Sequence, residues 1–169
     1  MDFQKLIQSR FSSRLFSDQK VDESVINNIL NDVRIAPTGK NKQPQRILVI
    51  NTKEGLEKVD KVTPCRFGAP LVFAMLGDKN DECILRDGRG ILETDVAITS
   101  TYLLLSAENQ GLGTCWVCWF EQETFKKEFE LPDNLVPYNF IMAGYKTLET
   151  KRYEKYATRK EISEFVKFM

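Results

Sequence analysis

Histidine is absent from the 169 residues. That absence removes the commonest general base, the base partner of a nucleophilic serine and the usual nitrogen ligand of zinc. Conventional hydrolysis drops out, and a bound cofactor becomes the simpler carrier of any hard chemical step. Net charge is missing too: 24 Lys and Arg balance 24 Asp and Glu, so no overall field draws the chain to nucleic acid or to an anionic membrane. No apolar run reaches the length of a membrane span. Met1-Asp2-Phe3-Gln4-Lys5 lacks the basic-then-apolar plan of a secretory signal, so the expected location is cytoplasmic. Four cysteines, Cys65, Cys83, Cys115 and Cys118, are then expected as reduced thiols. Cys115-Trp116-Val117-Cys118 has the spacing of a redox or metal pair. It lies inside an apolar, strand-like run, however, and Cys65 and Cys83 supply no matching second pair, so no metal site is expected.

What is present fits one domain over residues 1–169. From Val96 to Ala107 the apolar residues are too dense for one stripe, which predicts a central helix, Glu93 to Gln110, buried on most sides. Gly111 and Gly113 are expected to turn through positive φ and deliver an apolar strand, Thr114 to Phe120. Further strands are expected at Ile47–Ile50, Ala69–Gly77 and Tyr138–Tyr145, the last closed by Gly144. Helices are expected over residues 2–9, from an Asp22 cap to Arg34, over Gly55–Val62 and over Glu121–Glu130. Asp78 to Gly90 is charged and aperiodic, a mobile excursion or a lid. The tail, Lys151 to Met169, carries Tyr153, Tyr156, Ile162, Phe165, Val166 and Phe168, too much apolar surface to leave bare, so docking on a second subunit is expected.

Two stretches are rich in chemistry. In Arg10-Phe11-Ser12-Ser13-Arg14-Leu15-Phe16 two arginines four apart, with hydroxyls between, can present cationic forks to one anion such as a phosphate. The same spacing also suits a solvated turn. Ala36-Pro37-Thr38-Gly39-Lys40-Asn41-Lys42-Gln43-Pro44 is dense in donors. Its Asn41 and Gln43 can read the edge of a heteroaromatic ring, or the loop is simply hydrated.

Together these stretches resemble the motifs of the nitroreductase family of flavoenzymes. Arg10 to Phe16 is similar to its Arg-x-Ser-x-Arg-x-Phe motif, and Ala36 to Pro44 to its Ala-Pro-Ser-Gly-x-Asn-x-Gln-Pro loop. Asp95 to Phe120 is similar to its central helix and Gly-Leu-Gly-Thr-Cys-Trp strand. Gly144-Tyr145 and Arg159-Lys160 fall where the family has a Gly-Tyr turn and a phosphate-binding basic tail. The resemblance implies an α+β fold, a central mixed β-sheet wrapped by helices, in an intertwined homodimer with FMN in two interface clefts. Arg10, Phe11, Ser12 and Arg14 would hold the ribityl phosphate and the pyrimidine edge, joined by Arg159 or Lys160. Pro37, Thr38, Gly39 and Asn41, with Gln43 near by, would reach in from the partner subunit. Trp116, Val117, Cys118 and Trp119 would line the isoalloxazine face, a backbone N–H of Cys118 or Trp119 lying near N5.

The implied activity is an FMN-dependent oxidoreductase with ping-pong turnover. NADH or NADPH reduces the flavin, which reduces a nitroaromatic, a quinone or a related small-molecule acceptor, with no protein base required. Two other readings stay open: a flavin-binding or flavin-handling protein with little reductase activity, and a redox protein centred on Cys115 and Cys118. Cys118-Trp119 stands where the family usually has Gly or Glu-Gly, and Glu161 follows the basic pair where Pro is common.

Overall fold

The protein is described by a computed structural model covering residues 2–169, the side chain of Tyr156 excepted. That tyrosine, counted above in the apolar tail, therefore lies outside the described side chains. Four strands form one sheet in the order β1, β2, β4, β3: β1 is Gln45–Ile50, β2 Leu71–Asp78, β3 Leu112–Val117 and β4 Leu135–Tyr145. All three strand pairings are antiparallel. The parallel component expected of a mixed sheet is, within the described residues, a single bridge from Ser12 to Thr114. Tyr138 is the extra residue of a β4 bulge, since Asn139 pairs with Met75 and Pro137 with Leu76.

Helices cover both faces: α1 (Phe3–Ser9), α2 (Glu23–Arg34), α3 (Lys53–Val62), α4 (Leu92–Asn109) and α5 (Gln122–Glu128). The alternation along β2 explains why it reads as an unbroken apolar run. Val72, Ala74 and Leu76 enter one core with Val59, Val62, Phe125 and Phe140. Leu71, Phe73 and Met75 enter the other with Ile29, Val33, Val96 and Leu103. Among the described residues no helix is long and apolar enough to cross a membrane.

Three expectations are refined by the structure. First, α4 is buried on most sides, as expected, but not all round. Val96, Leu103 and Ala107 face the sheet, whereas Thr94 and Thr101 are exposed and Tyr102 is 38% exposed. Second, Gly111 does turn the chain at φ +83°, but Gly113 lies inside β3 without positive φ. Its small size is required by close approach, because a Cβ there would stand 2.6 Å from Ser13 Oγ and 2.9 Å from Lys146 Cγ. Gly144 and Tyr145 likewise pair with Gly113 and Leu112, so they extend β4 instead of turning it. Third, β3 ends at Val117. Beyond it the Trp119 carbonyl accepts from Thr63 Oγ1 at 2.6 Å, and the Glu121 N–H donates to the Val62 carbonyl at 3.2 Å, so α3 captures the chain that would have continued the strand.

The Asp78–Gly90 excursion has internal structure. It contains a 3-10 turn, Lys79–Asp81, a bridge from Ile84 to Gly90 and a buried Cys83.

Candidate functional site: an arginine pocket and a strained loop at opposite ends of the central helix

The first half of the site forms where the chain leaves α1. The Ser12–Thr114 bridge, with the Ser13 N–H donating to the Thr114 carbonyl at 2.8 Å, lays this segment along the edge of β3. Arg10, Phe11, Ser12 and Arg14 then line a cavity of about 150 Å³ with Arg152, Tyr153 and Arg159. Four guanidinium groups converge on a volume suited to one small anion. Burial pulls the Arg10 guanidinium below its ordinary value; the Glu108 carboxylate opposes that, and the like charges of Arg152 and Arg159 add to it.

Glu108, almost fully buried near the end of α4, receives Lys146 Nζ on both oxygens at 2.9 Å. Lys146 and Arg152 lie over the Phe11 ring at 5.2 and 5.8 Å, while Arg14 lies over Phe67 and Tyr153 at 5.9 and 5.8 Å. The aromatic rings thus help to hold the cations in place. Lys160, expected as a second phosphate contact, is exposed and does not line this cavity.

Pro37, Thr38, Gly39, Asn41 and Gln43 are elsewhere. Their loop packs on the start of α4, where the Gly39 N–H donates to Asp95 Oδ1 at 2.8 Å. The loop holds itself with the Gln43 N–H on Thr38 Oγ1 at 3.0 Å and Gln43 Nε2 on the Asn41 carbonyl at 3.3 Å. Lys40, Asn41 and Gln43 all have left-handed φ, 50°, 54° and 51°, a strained set for residues with a Cβ. By the rise of an α-helix, Asp95 and Glu108 stand about 20 Å apart along the axis. The two halves of the expected site therefore do not meet within one chain.

The end of β3 supplies a third group. Trp116 is half-buried and Val117 buried, whereas Cys118 and Trp119 are exposed, Trp119 by 78%. Trp116 Nε1–H donates to Cys118 Sγ at 3.0 Å. Cys115 is in the core, where burial pushes its thiol up from the ordinary value. The cysteine pair is thus split between core and surface, and all four thiols are free. A larger hollow of about 860 Å³, between Val21, Leu56 and Arg66, holds none of the motif residues. Its Arg66 is already paired to Asp60 through two bonds of 2.6 and 2.7 Å, so size does not mark the site.

Arg152, Tyr153, Glu108, Lys146 and Asp95 were not picked out by sequence as site residues. The available signal was an acid at two positions of an apolar helix, and a basic-aromatic pair opening the tail.

The family model described as "Nitroreductase family" matches residues 7–67 and 66–145. A crystal structure of a nitroreductase family protein from Clostridium difficile 630 superposes with a TM-score of 0.93 at 36% identity, covering 99% of this chain and 98% of that one. A curated protein of Methanothermobacter thermautotrophicus, provisionally named NADH dehydrogenase/NAD(P)H nitroreductase, is 29% identical over 154 residues, 86% of this chain and 78% of its own. A structure provisionally named a nitroreductase, in complex with FMN, from Exiguobacterium sibiricum shares the fold at 19% identity, TM-score 0.87, covering 100% of this chain and 98% of that one.

Proposed function

The chain belongs to the nitroreductase family, and on that premise we propose that it binds FMN in a site shared by two copies and passes electrons from NADH or NADPH to a small-molecule acceptor. The observation that carries this reading is the separation of the two halves of the site along α4. Two α4 helices packed antiparallel across a twofold axis bring the Asp95 end of one copy to the Glu108 end of the other, and make two equal sites. The surface that such a pairing covers is apolar: Tyr102 and Leu105 of α4, with Phe3, Leu6 and Ile35, border one groove, and Phe3 and Ile35 are 62% and 72% exposed. The tail leaves Ile162, Phe165 and Phe168 bare at 67%, 68% and 92%, which suits docking of residues 151–169 on the same partner.

The residues present fit FMN. Burial and the like charges of Arg152 and Arg159 disfavour the charged Arg10, and the ribityl phosphate is an anion that would offset both. Arg10, Ser12 and Arg14 bind it, joined by Arg152 and Arg159. Thr38, Asn41 and Gln43, brought by the second copy, present hydroxyl and amide groups to the ring edge. Trp116 and Val117 wall the flat face, with Cys118 and Trp119 at its open side. Bound FMN supplies two-electron hydride transfer at N5, a chemistry for which the missing histidine is no handicap. The nicotinamide and the acceptor, a nitroaromatic or a quinone, occupy that open side in turn, which gives ping-pong order.

Anaerobic mixing of the purified yellow protein with NADH or NADPH tests the reading. Prompt bleaching of the long-wavelength flavin band is expected. Absence of bleaching over minutes would leave a flavin-binding protein without reductase activity.

A further inference from the structure

We propose that Asp95 is the positioning residue of the cofactor loop, holding residues 37–43 from inside the core in the shape that meets the flavin. This rests on the flavin-site reading above and adds to it a residue that touches no ligand. Asp95 is 1% exposed, in the first turn of α4. Its Oδ1 accepts the Gly39 N–H at 2.8 Å, and its Oδ2 is buried with no hydrogen-bond partner. A buried carboxylate using one oxygen of two is a poor choice for stability alone, since an apolar side chain of similar shape would avoid the desolvation.

What the carboxylate does achieve is local. Gly39 is pressed so closely on the helix start that a Cβ would stand 2.6 Å from Ile91 Cδ1 and 2.9 Å from Cys83 Cβ. From that anchored point the chain enters three left-handed non-glycine residues, Lys40, Asn41 and Gln43. Such conformations persist only where the surroundings over-determine them. Asp95 pins the entry, Thr38 Oγ1 takes the Gln43 N–H, and Arg46 donates to the Gln43 carbonyl at 3.1 Å to pin the exit. The exposed Asn41 and Gln43 are thereby held in one conformation before any ligand arrives, which lowers the ordering cost of binding.

The test compares wild type with Asp95→Leu and Asp95→Asn. FMN affinity is read by flavin fluorescence, thermal stability by the melting of the flavin-free protein, and the Gly39 amide by hydrogen exchange. Asp95→Leu keeps the shape and removes both the acceptor and the unpaired charge. It is expected to melt at or above wild type while FMN Kd rises at least tenfold and Gly39 exchange quickens at least tenfold. Asp95→Asn keeps the acceptor and is expected to hold both within threefold of wild type. The proposal is overturned if Asp95→Leu binds FMN like wild type, or if it melts well below wild type, which would make Asp95 a fold residue. Loss of affinity in Asp95→Asn equal to that in Asp95→Leu overturns it as well. Wild type that binds no FMN would instead sink the cofactor reading, and the Gly39 exchange rates would still decide whether Asp95 sets the loop.

Discussion

Arg14 shows what one side chain contributes to the pocket. Its guanidinium lies between Phe67 and Tyr153 and shares the cavity with Arg10, Arg152 and Arg159. Arg14→Ala removes a charge-assisted bond from an anion that keeps its other partners, so FMN binding should weaken by about 1.5–3 kcal/mol. Equilibrium dialysis measures this directly, and unchanged affinity would take Arg14 out of the site. Arg10, Ser12 and Arg14 were legible in the sequence because their spacing is local. Arg152 was not, since it reaches the pocket only after the chain has crossed the sheet and returned to donate to the carbonyls of Gln8 and Arg10 at 2.6 and 3.2 Å. Glu108 and Lys146 pair across 38 positions of sequence, and no local pattern announces such a contact.

Among the elements, the three strand ends nearest the excursion are tied by one carboxylate. Asp78 closes β2; it accepts from Asn134 Nδ2 at 2.8 Å, just before β4, and from Arg46 of β1 at 3.0 Å. The Asn134 hydrogen bond is the largest reason the Asp78 carboxyl is held below its ordinary value, followed by the Asn80 N–H; burial opposes both, and the Arg46 charge lowers it further. A carboxyl lowered in the folded state contributes stability above the unfolded value, about pH 4, and that contribution is lost as pH falls through the folded value. Asn134→Ala should therefore unfold at lower urea than wild type at pH 7, with the gap closing as pH falls below the ordinary carboxylate value. A gap independent of pH would mean that Asn134 acts by packing.

All four strands were readable as apolar runs, because each lies on a sheet with helices on both faces, although β1 and β4 begin earlier than expected, at Gln45 and Leu135. The end of β3 was misread for the same reason. Cys118, Trp119 and Phe120 continue the apolar run, and only the bonds to Thr63 and Val62 show that the chain has left the sheet.

At the scale of the whole molecule, the proposed division of the site between two copies was implied by family resemblance, whereas the length of α4 that separates the arginine pocket from the loop became visible only in the fold. Truncation after Thr150 removes Arg152, Tyr153 and Arg159 together with the exposed Ile162, Phe165 and Phe168. It should abolish the dimer in sedimentation and the flavin band in absorbance; a truncated chain that remained a yellow dimer would contradict the tail's role. The shared site itself is tested most directly by a mixed dimer in which one chain carries Arg14→Ala and the other Asn41→Ala, isolated through two different tags and titrated with FMN. If each site takes Arg14 from one copy and Asn41 from the other, one site carries both substitutions and the other carries neither. The mixed dimer should then bind one FMN per two chains with wild-type affinity, although each homodimer variant binds weakly. Two weakened sites and none of wild-type affinity would place Arg14 and Asn41 in the same chain's site and contradict the account.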